Sequence, residues 1–453
     1  SGQDEVQLYQ KVAGLLKEKK INRLFAIGTA IECIRDILDK KIEFRHFPDT
    51  DNFLQQLHQI RFDSETILLK GARHFQFERI AEQLSLKVHQ TTLEVNLSAL
   101  SHNLNVYHSY LQPDTKMMVM VKAAAYGSGS VEIARLLEFS KVDYLAVAYA
   151  DEGVELRKQG ITLPIMVLNP EEAVFDVLLR YRLEPEIYSL RLLEKFTDFV
   201  PATIDSFPVH IKLETGMHRL GFEEADLDQV AHLMRASPSL SVQSVFSHLA
   251  ASEAPEHDAF TRQQIDRFHR AYEHLSALLG YRPLRHILNS SGINRFPEHQ
   301  MDMVRLGIGL YGIDSSDDIS SRLREVLRLK ARISQIKTLD IGQTVGYGRA
   351  GKANKKMTIA TVSIGYADGL PRVTGNRKHH LYVKGKPAPV IGNVCMDMCM
   401  IDISQISSAK EGDEVIIFES VEQINDLAKA VNTIPYELLT NISPRVKRVY
   451  IQE

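Results

Sequence analysis

Eight short apolar segments follow one another between residues 117 and 312, with helix-like stretches among them. They read "MMVMVKA", "DYLAVAY", "PIMVLN", "EPEIYS", "VHIKLE", "VQSVFSHL", "HILNSS" and "MVRLGIGLYG". The stretches between them include "SVEIARLLEFS", "EEAVFDVLLR", "LDQVAHLMRAS" and "FTRQQIDRFHRAYEHLSALLG", whose apolar residues recur at helical spacing. Strands that are apolar along their whole length suit a parallel sheet covered on both faces. Eight of them in alternation with helices predict a (β/α)8 barrel.

The flanks carry other rhythms. Residues 5–88 alternate the helix pattern "VQLYQKVAGLLKEKK", the strand "RLFAIG", the helix "AIECIRDILDK", the strand "IEFRHF" and the helix "DNFLQQLHQI". A third strand, "TILLKGARHF", and a helix, "QFERIAEQL", complete a small α/β, Rossmann-like unit with a parallel sheet. Beyond residue 323 short strands separated by Gly, Pro and Asp turns dominate, with one helix at "INDLAKAVN", which predicts an all-β domain. The expected division is therefore 1–90, 91–323 and 324–453.

With 44% hydrophobic and 25% charged residues, the chain has material for large cores. A net charge of −3 without a basic block argues against a nucleic-acid or anionic-membrane binder. No segment approaches 18 continuous apolar residues, and no charged-then-apolar leader opens the chain, so a cytoplasmic location is expected. Cys33, Cys395 and Cys399 are too few and too ill-spaced for a disulfide framework or a zinc site, and no metal centre is expected. The opening Ser1-Gly2, without Met, reads as a scar on a chain cut from something longer.

Function in such a barrel sits at the C-terminal ends of the strands, and the reactive side chains cluster there. Lys122 ends the first strand, "ETGMHRLG" follows the fifth, His248 ends the sixth, "NSSG" ends the seventh, and Arg305 lies on the eighth before Gly307 and Gly309. A lysine in an apolar mouth either snorkels to solvent or, with its pKa lowered, attacks a carbonyl. A cofactor aldehyde such as pyridoxal phosphate would supply that carbonyl. Its phosphate needs hydroxyls and backbone N–H groups, which Ser290 and the Gly307–Ile308 amides offer. "GYGRAGKA" (residues 346–353) only approximates a P-loop, since Ala353 replaces the Mg²⁺-binding Ser/Thr and no helix pattern follows.

Over residues 92–453 the chain resembles the alanine racemase family. The motifs are "VKAAAYGSG", "KLETGMHRLG", "FSHLAASE", "HILNSSG", "VRLGIGLYG", "VGYGRA", "VSIGYADGLPR" and "NVCMDM", in family order. The first departs from the family's Val-Lys-Ala-Asn-Ala-Tyr-Gly-His-Gly at Ala124 and Ser128. The resemblance implies a pyridoxal 5'-phosphate barrel with a C-terminal β domain that interconverts L- and D-alanine and supplies D-alanine for peptidoglycan. It also implies a head-to-tail homodimer with shared sites.

By position, Lys122 would carry the cofactor and serve as one base, and Tyr347 would be the opposite base at the partner subunit's site. Arg305 would hold the pyridine nitrogen, with His248 between Arg305 and Tyr347. Arg219 would pair with the cofactor's phenolic oxygen and the substrate carboxylate, and Lys212 matches a lysine that is carbamylated in many members. Tyr126, Ser290, Gly307 and Ile308 would bind the cofactor's phosphate and Asn289 the cofactor, while Tyr366 and Met396 would line the entrance and contact the substrate carboxylate from the neighbouring subunit. Pro444 replaces the tyrosine of the family's Ile-Ser-Tyr-Arg-Val-Pro-Arg, which implies a wider entrance and opens the alternative of a broader-specificity racemase acting on serine. Two further alternatives, a non-catalytic pyridoxal-phosphate barrel and a related decarboxylase, do not account for the β domain or for "GYGRA".

Residues 5–88 resemble the C-terminal domain of the Mur ligase that joins D-alanyl-D-alanine to the peptidoglycan precursor, on the strength of "ILLKGARHFQFERIAEQL". This implies a ligase–racemase fusion. The ATP-binding and central domains are missing from the chain, so no ligation is expected of it.

Overall fold

A computed structural model describes residues 5–63, 65–84 and 90–452, so the Ser1-Gly2 opening lies outside the described residues. The chain divides into two compact units, residues 1–88 and residues 89–452.

In the first unit two parallel strands, Arg23–Ile27 and Glu43–Phe47, pair with Arg23 opposite Glu43. Helices Glu5–Glu18, Thr50–Gln56 and Glu78–Leu84 accompany them. Ile27, Phe47, Phe53, Ile60 and Ile80 form the core, with Phe47 and Phe53 edge to face at 5.0 Å. Two expectations fail here. "AIECIRDILDK" forms only the 3-10 helix Ala30–Asp36. "TILLKGARHF" forms no strand, and Leu68 within it is exposed, so this run buries too little apolar surface to be held as a strand.

The second unit contains the expected barrel. Its strands are β1 (Lys116–Met120), β2 (Tyr144–Val147), β3 (Ile165–Val167), β4 (Glu184–Ile187), β5 (Phe207–Lys212), β6 (Leu240–Phe246), β7 (Leu284–His286) and β8 (Met303–Leu306). From β1 to β7 each pairs in parallel with the next, and β8 pairs with β1. The ring closes between β7 and β8, where the Asp302 and Arg305 N–H groups donate to the carbonyls of Arg285 and Leu288 at 3.3 and 3.0 Å. All eight apolar segments named from the sequence meet strands of one sheet, the seventh only at His286, since its strand lies earlier at Leu284–His286.

The β domain comprises β9 (Leu327–Leu339), β10 (Met357–Val362), β11 (His380–Val383), β12 (Lys386–Ile391), β13 (Cys399–Asp402), β14 (Glu414–Phe418) and β15 (Lys447–Ile451). A strand from before the barrel, Thr92–Asn96, inserts between β9 and β15, antiparallel to one and parallel to the other. The β domain is thus assembled from both ends of the unit. Besides the expected helix at Val421–Ala430 there is a second, Pro435–Thr440, opened by proline at its first turn. Cys399 is buried and Cys33 exposed, and all three cysteines are free.

Candidate active site

Lys122 leaves β1 into a turn that the sequence does not suggest. Ala123, Ala124, Ala125 and Tyr126 all have φ between 49° and 55°, a single left-handed turn. A non-glycine residue there costs roughly 1–2 kcal/mol, so the turn must be held from outside. The Ala123 N–H donates to Glu152 Oε1 at 2.6 Å, and the same carboxylate accepts from the Ala148 N–H at 2.7 Å. The Tyr311 hydroxyl donates to the Ala125 carbonyl at 2.7 Å. Arg448, on β15, donates through Nε and a terminal nitrogen to the Gly127 carbonyl at 2.9 and 2.7 Å, and the Tyr450 hydroxyl reaches the Ser128 carbonyl at 2.9 Å. Gly127 combines φ +79° with a backbone so near Leu439 that a Cβ would lie 2.2 Å from its carbonyl oxygen. The chain's C-terminal strand therefore helps to hold the turn that follows Lys122.

The turn brings Tyr126 back to the loops after β7 and β8. A methyl built on Gly307 would meet the Tyr126 hydroxyl at 2.8 Å and Ser290 Oγ at 3.6 Å. The hydroxyl of Ser290 accepts from the Gly307 N–H at 2.9 Å. Asn289 caps the helix Ser290–Arg295, its Oδ1 accepting from the Gly292 N–H and the Ser252 hydroxyl at 3.0 and 2.7 Å. Asn289 thus positions Ser290, and its Oδ1 already has two donors. Tyr126, Ser290, Gly307 and Ile308 converge from three loops into a cradle of hydroxyls and amides, the donor set a phosphate needs.

Opposite this cradle the mouth is strongly cationic. Burial lowers the Lys122 pKa, and Arg219 and Lys212 lower it further. Arg305 is fully buried and its pKa falls to about 10, chiefly from burial. It donates to the Ser247 and Ile287 carbonyls at 2.7 and 3.1 Å and to His286 Nδ1 at 2.7 Å, and approaches His248 Nδ1 at 3.4 Å. Arg219 is exposed on the loop after β5, and its charge acts on Lys122, Lys212, Glu186 and His248. Burial and the surrounding cations hold His248 well below the ordinary histidine range, so it is neutral.

Behind Arg305 lies a chain of hydrogen bonds that the sequence reading missed. His286 Nε2 meets Ser244 Oγ at 2.8 Å, Ser244 Oγ meets His210 Nδ1 at 2.7 Å, and His210 Nε2 meets Glu184 Oε2 at 2.9 Å. Arg305 can only donate to His286 Nδ1, so a neutral His286 donates through its Nε2–H to the Ser244 hydroxyl oxygen. Burial and Arg305 keep His286 neutral. The guanidinium is thereby fixed in place and keeps its charge.

Tyr347, Tyr366 and Met396 are not part of this mouth but share a separate face of the β domain, 72%, 43% and 54% exposed. The Tyr366 and Ala367 N–H groups donate to the Cys395 and Met396 carbonyls, both at 3.0 Å. Asn393 Nδ2 donates to the Tyr347 carbonyl at 3.0 Å. Arg445 binds Asp368 and Asp397 at 2.7 Å each and braces the same loops immediately after Pro444. The false P-loop is a hairpin in which Gly351–Lys352 pairs with Thr344–Val345. Among the described residues no group of three or more His, Cys, Asp or Glu is placed to hold a metal, and no helix is long and apolar enough to cross a membrane.

A barrel with a lysine at the end of its first strand, facing a hydroxyl-and-amide cradle and a buried arginine, defines a lysine-centred barrel enzyme for a phosphorylated carbonyl cofactor. The alanine racemase N-terminal domain family matches residues 95–315 and the alanine racemase C-terminal domain family residues 326–450. The chain belongs to the alanine racemase family. It is 36% identical over 370 residues to alanine racemase of Clostridium kluyveri, covering 79% of this chain and 93% of the relative. The structure of alanine racemase from Clostridium difficile 630 superposes with a TM-score of 0.76 at 36% identity, over 80% of this chain and 96% of that one. An alanine racemase from Bartonella henselae with covalently bound pyridoxal phosphate gives 0.73 at 28% identity, over 80% and 99%.

Proposed function

We propose that this protein racemises alanine with pyridoxal 5'-phosphate bound through Lys122, and that it supplies D-alanine to peptidoglycan synthesis in the cytoplasm. The observation that carries the reading is Lys122 beside the cradle of Tyr126, Ser290, Gly307 and Ile308. The residues fit the group, since these hydroxyls and amides would hold its phosphate and the cations around Lys122 would balance its remaining negative charge. When bound, the cofactor acidifies the α-proton of the amino acid it holds.

The chain's own groups account for the rest. Arg305 would hold the cofactor's ring nitrogen as a donor that keeps its proton. Arg219 binds the substrate carboxylate with a forked donor. Lys122 Nζ moves the proton on one face of the α-carbon, and the phenol oxygen of Tyr347 of the partner subunit moves it on the other. Two bases on opposite faces are what inversion requires, because one base returns the proton to the face it left. The exposed apolar face carrying Tyr347, Tyr366 and Met396 supports a homodimer in which that face covers a second copy's mouth.

Residues 5–88 are read as a structural appendage derived from a Mur ligase fusion. The strand implied by their likeness to that ligase is not formed, and no ligase chemistry is assigned to them. Incubation of the holoenzyme with L-alanine in deuterated water tests the reading. D-alanine with solvent deuterium at the α-carbon is expected, and cofactor-loaded protein that exchanges no α-proton would refute it.

A further inference from the structure

One buried carboxylate in the barrel has no place in the scheme above. Glu186, on β4, is 1% exposed, and its Oε1 lies 3.0 Å from Nζ of Lys212 at the end of β5, whose side chain is 6% exposed. Lys212 also stands over the Phe246 ring at 5.6 Å, and Arg305 over the same ring at 5.3 Å. Burial pushes the Glu186 carboxyl up, and the neighbouring cations Lys212, Arg219 and Arg305 oppose that rise, with Lys212 in direct contact. A glutamate at this depth is expensive to bury unless it is paired.

We propose that Glu186 is a positioning residue: it holds Lys212 as an ion pair, supplies the negative charge that orients Arg219, and keeps Lys212 from being carbamylated. This rests on the reading that Arg219 engages the substrate carboxylate. Carbamylation begins with a neutral amine attacking carbon dioxide. A nitrogen–carbon bond forms, one C=O electron pair moves to oxygen, and an amine proton leaves to solvent. The product would set a second carboxylate against Glu186, and two like charges that close and that buried do not both stay ionised. The protonated amine held by Glu186 also lacks the lone pair that the attack needs. The pair thus delivers charge beside Arg219 without dependence on carbon dioxide.

The test begins with wild-type holoenzyme equilibrated with ¹³C-bicarbonate and observed by ¹³C NMR, a readout that needs no turnover and so stands apart from racemase activity. No carbamate resonance is expected. Glu186→Gln, neutral and of the same shape, should show a carbamate signal that Glu186→Gln/Lys212→Arg lacks. Its KM for alanine should be about tenfold higher in bicarbonate-free buffer and return toward wild type when bicarbonate is added, which loss of packing alone would not produce. A stoichiometric carbamate on wild-type Lys212 would overturn the proposal, as would a Glu186→Gln enzyme whose KM is unchanged without bicarbonate.

Discussion

The barrel mouth and the tyrosine-bearing face of the β domain are built on opposite principles. In the mouth every functional group but the exposed Arg219 is buried or braced. Arg305 is fixed by carbonyls and His286, Ser290 by the Asn289 cap, and the Lys122 turn by Glu152, Tyr311, Arg448 and Tyr450. On the β-domain face only the backbone is braced, and the Tyr347, Tyr366 and Met396 side chains stand in solvent. Under the proposed homodimer, one chain would carry a finished lysine half and an unfinished tyrosine half, and a second copy would complete each.

The sharpest way to break this contrast is at the lysine. Lys122→Ala should abolish visible cofactor absorbance that resists dialysis and cut kcat by at least about 10³-fold. Absorbance retained after dialysis would remove Lys122 as the attachment point. Next comes the bracing of the turn. Arg448→Ala removes two charge-assisted hydrogen bonds to Gly127 and should destabilise the protein by about 1.5–3 kcal/mol in urea titration, with kcat falling roughly tenfold. Unchanged kcat would show that the turn holds itself.

A third prediction concerns pH. His286 has its pKa lowered well below 6.5 by burial and Arg305, so the folded state refuses a proton that the unfolded chain accepts. Its contribution is intact above pH 6.5 and is lost as pH falls below it, by up to about 1.4 kcal/mol per pH unit. Urea midpoints of wild type and His286→Asn between pH 7 and 5.5 should show the shallower slope in the variant, and equal slopes would mean His286 is charged when folded. The smallest effect is expected at Pro444, beside the Arg445 brace. Pro444→Tyr should raise the kcat/KM preference for alanine over serine about three- to tenfold by narrowing the entrance. No change would place substrate selection elsewhere.

The sequence announces much of the mouth because barrel strands buried on both faces read as unbroken apolar runs, and a functional residue at their ends interrupts the run. Lys122, His248 and Arg305 stand out in this way. Glu186 and Glu184 do not, since a glutamate in "EPEIYS" looks like the polar side of an ordinary strand. The left-handed turn is equally hidden, because three alanines suggest a right-handed helix, and only Gly127 and Gly129 hint at unusual backbone. Residues 92–96 fall inside the 91–323 span expected for the barrel, whereas the strand Thr92–Asn96 pairs with β9 and β15, more than 200 residues away. The third strand expected in the first unit failed for lack of burial, which periodicity alone does not register.

The division of labour between the two faces is tested most directly by mixing two inactive homodimers, Lys122→Ala and Tyr347→Phe, under conditions of subunit exchange. Hybrid dimers would hold one doubly altered site and one intact site, so activity should recover to roughly a quarter of wild type after random exchange. Activity that stays at the level of the separate variants, once exchange is verified, would mean that Lys122 and Tyr347 serve the same site from one chain, contrary to this account.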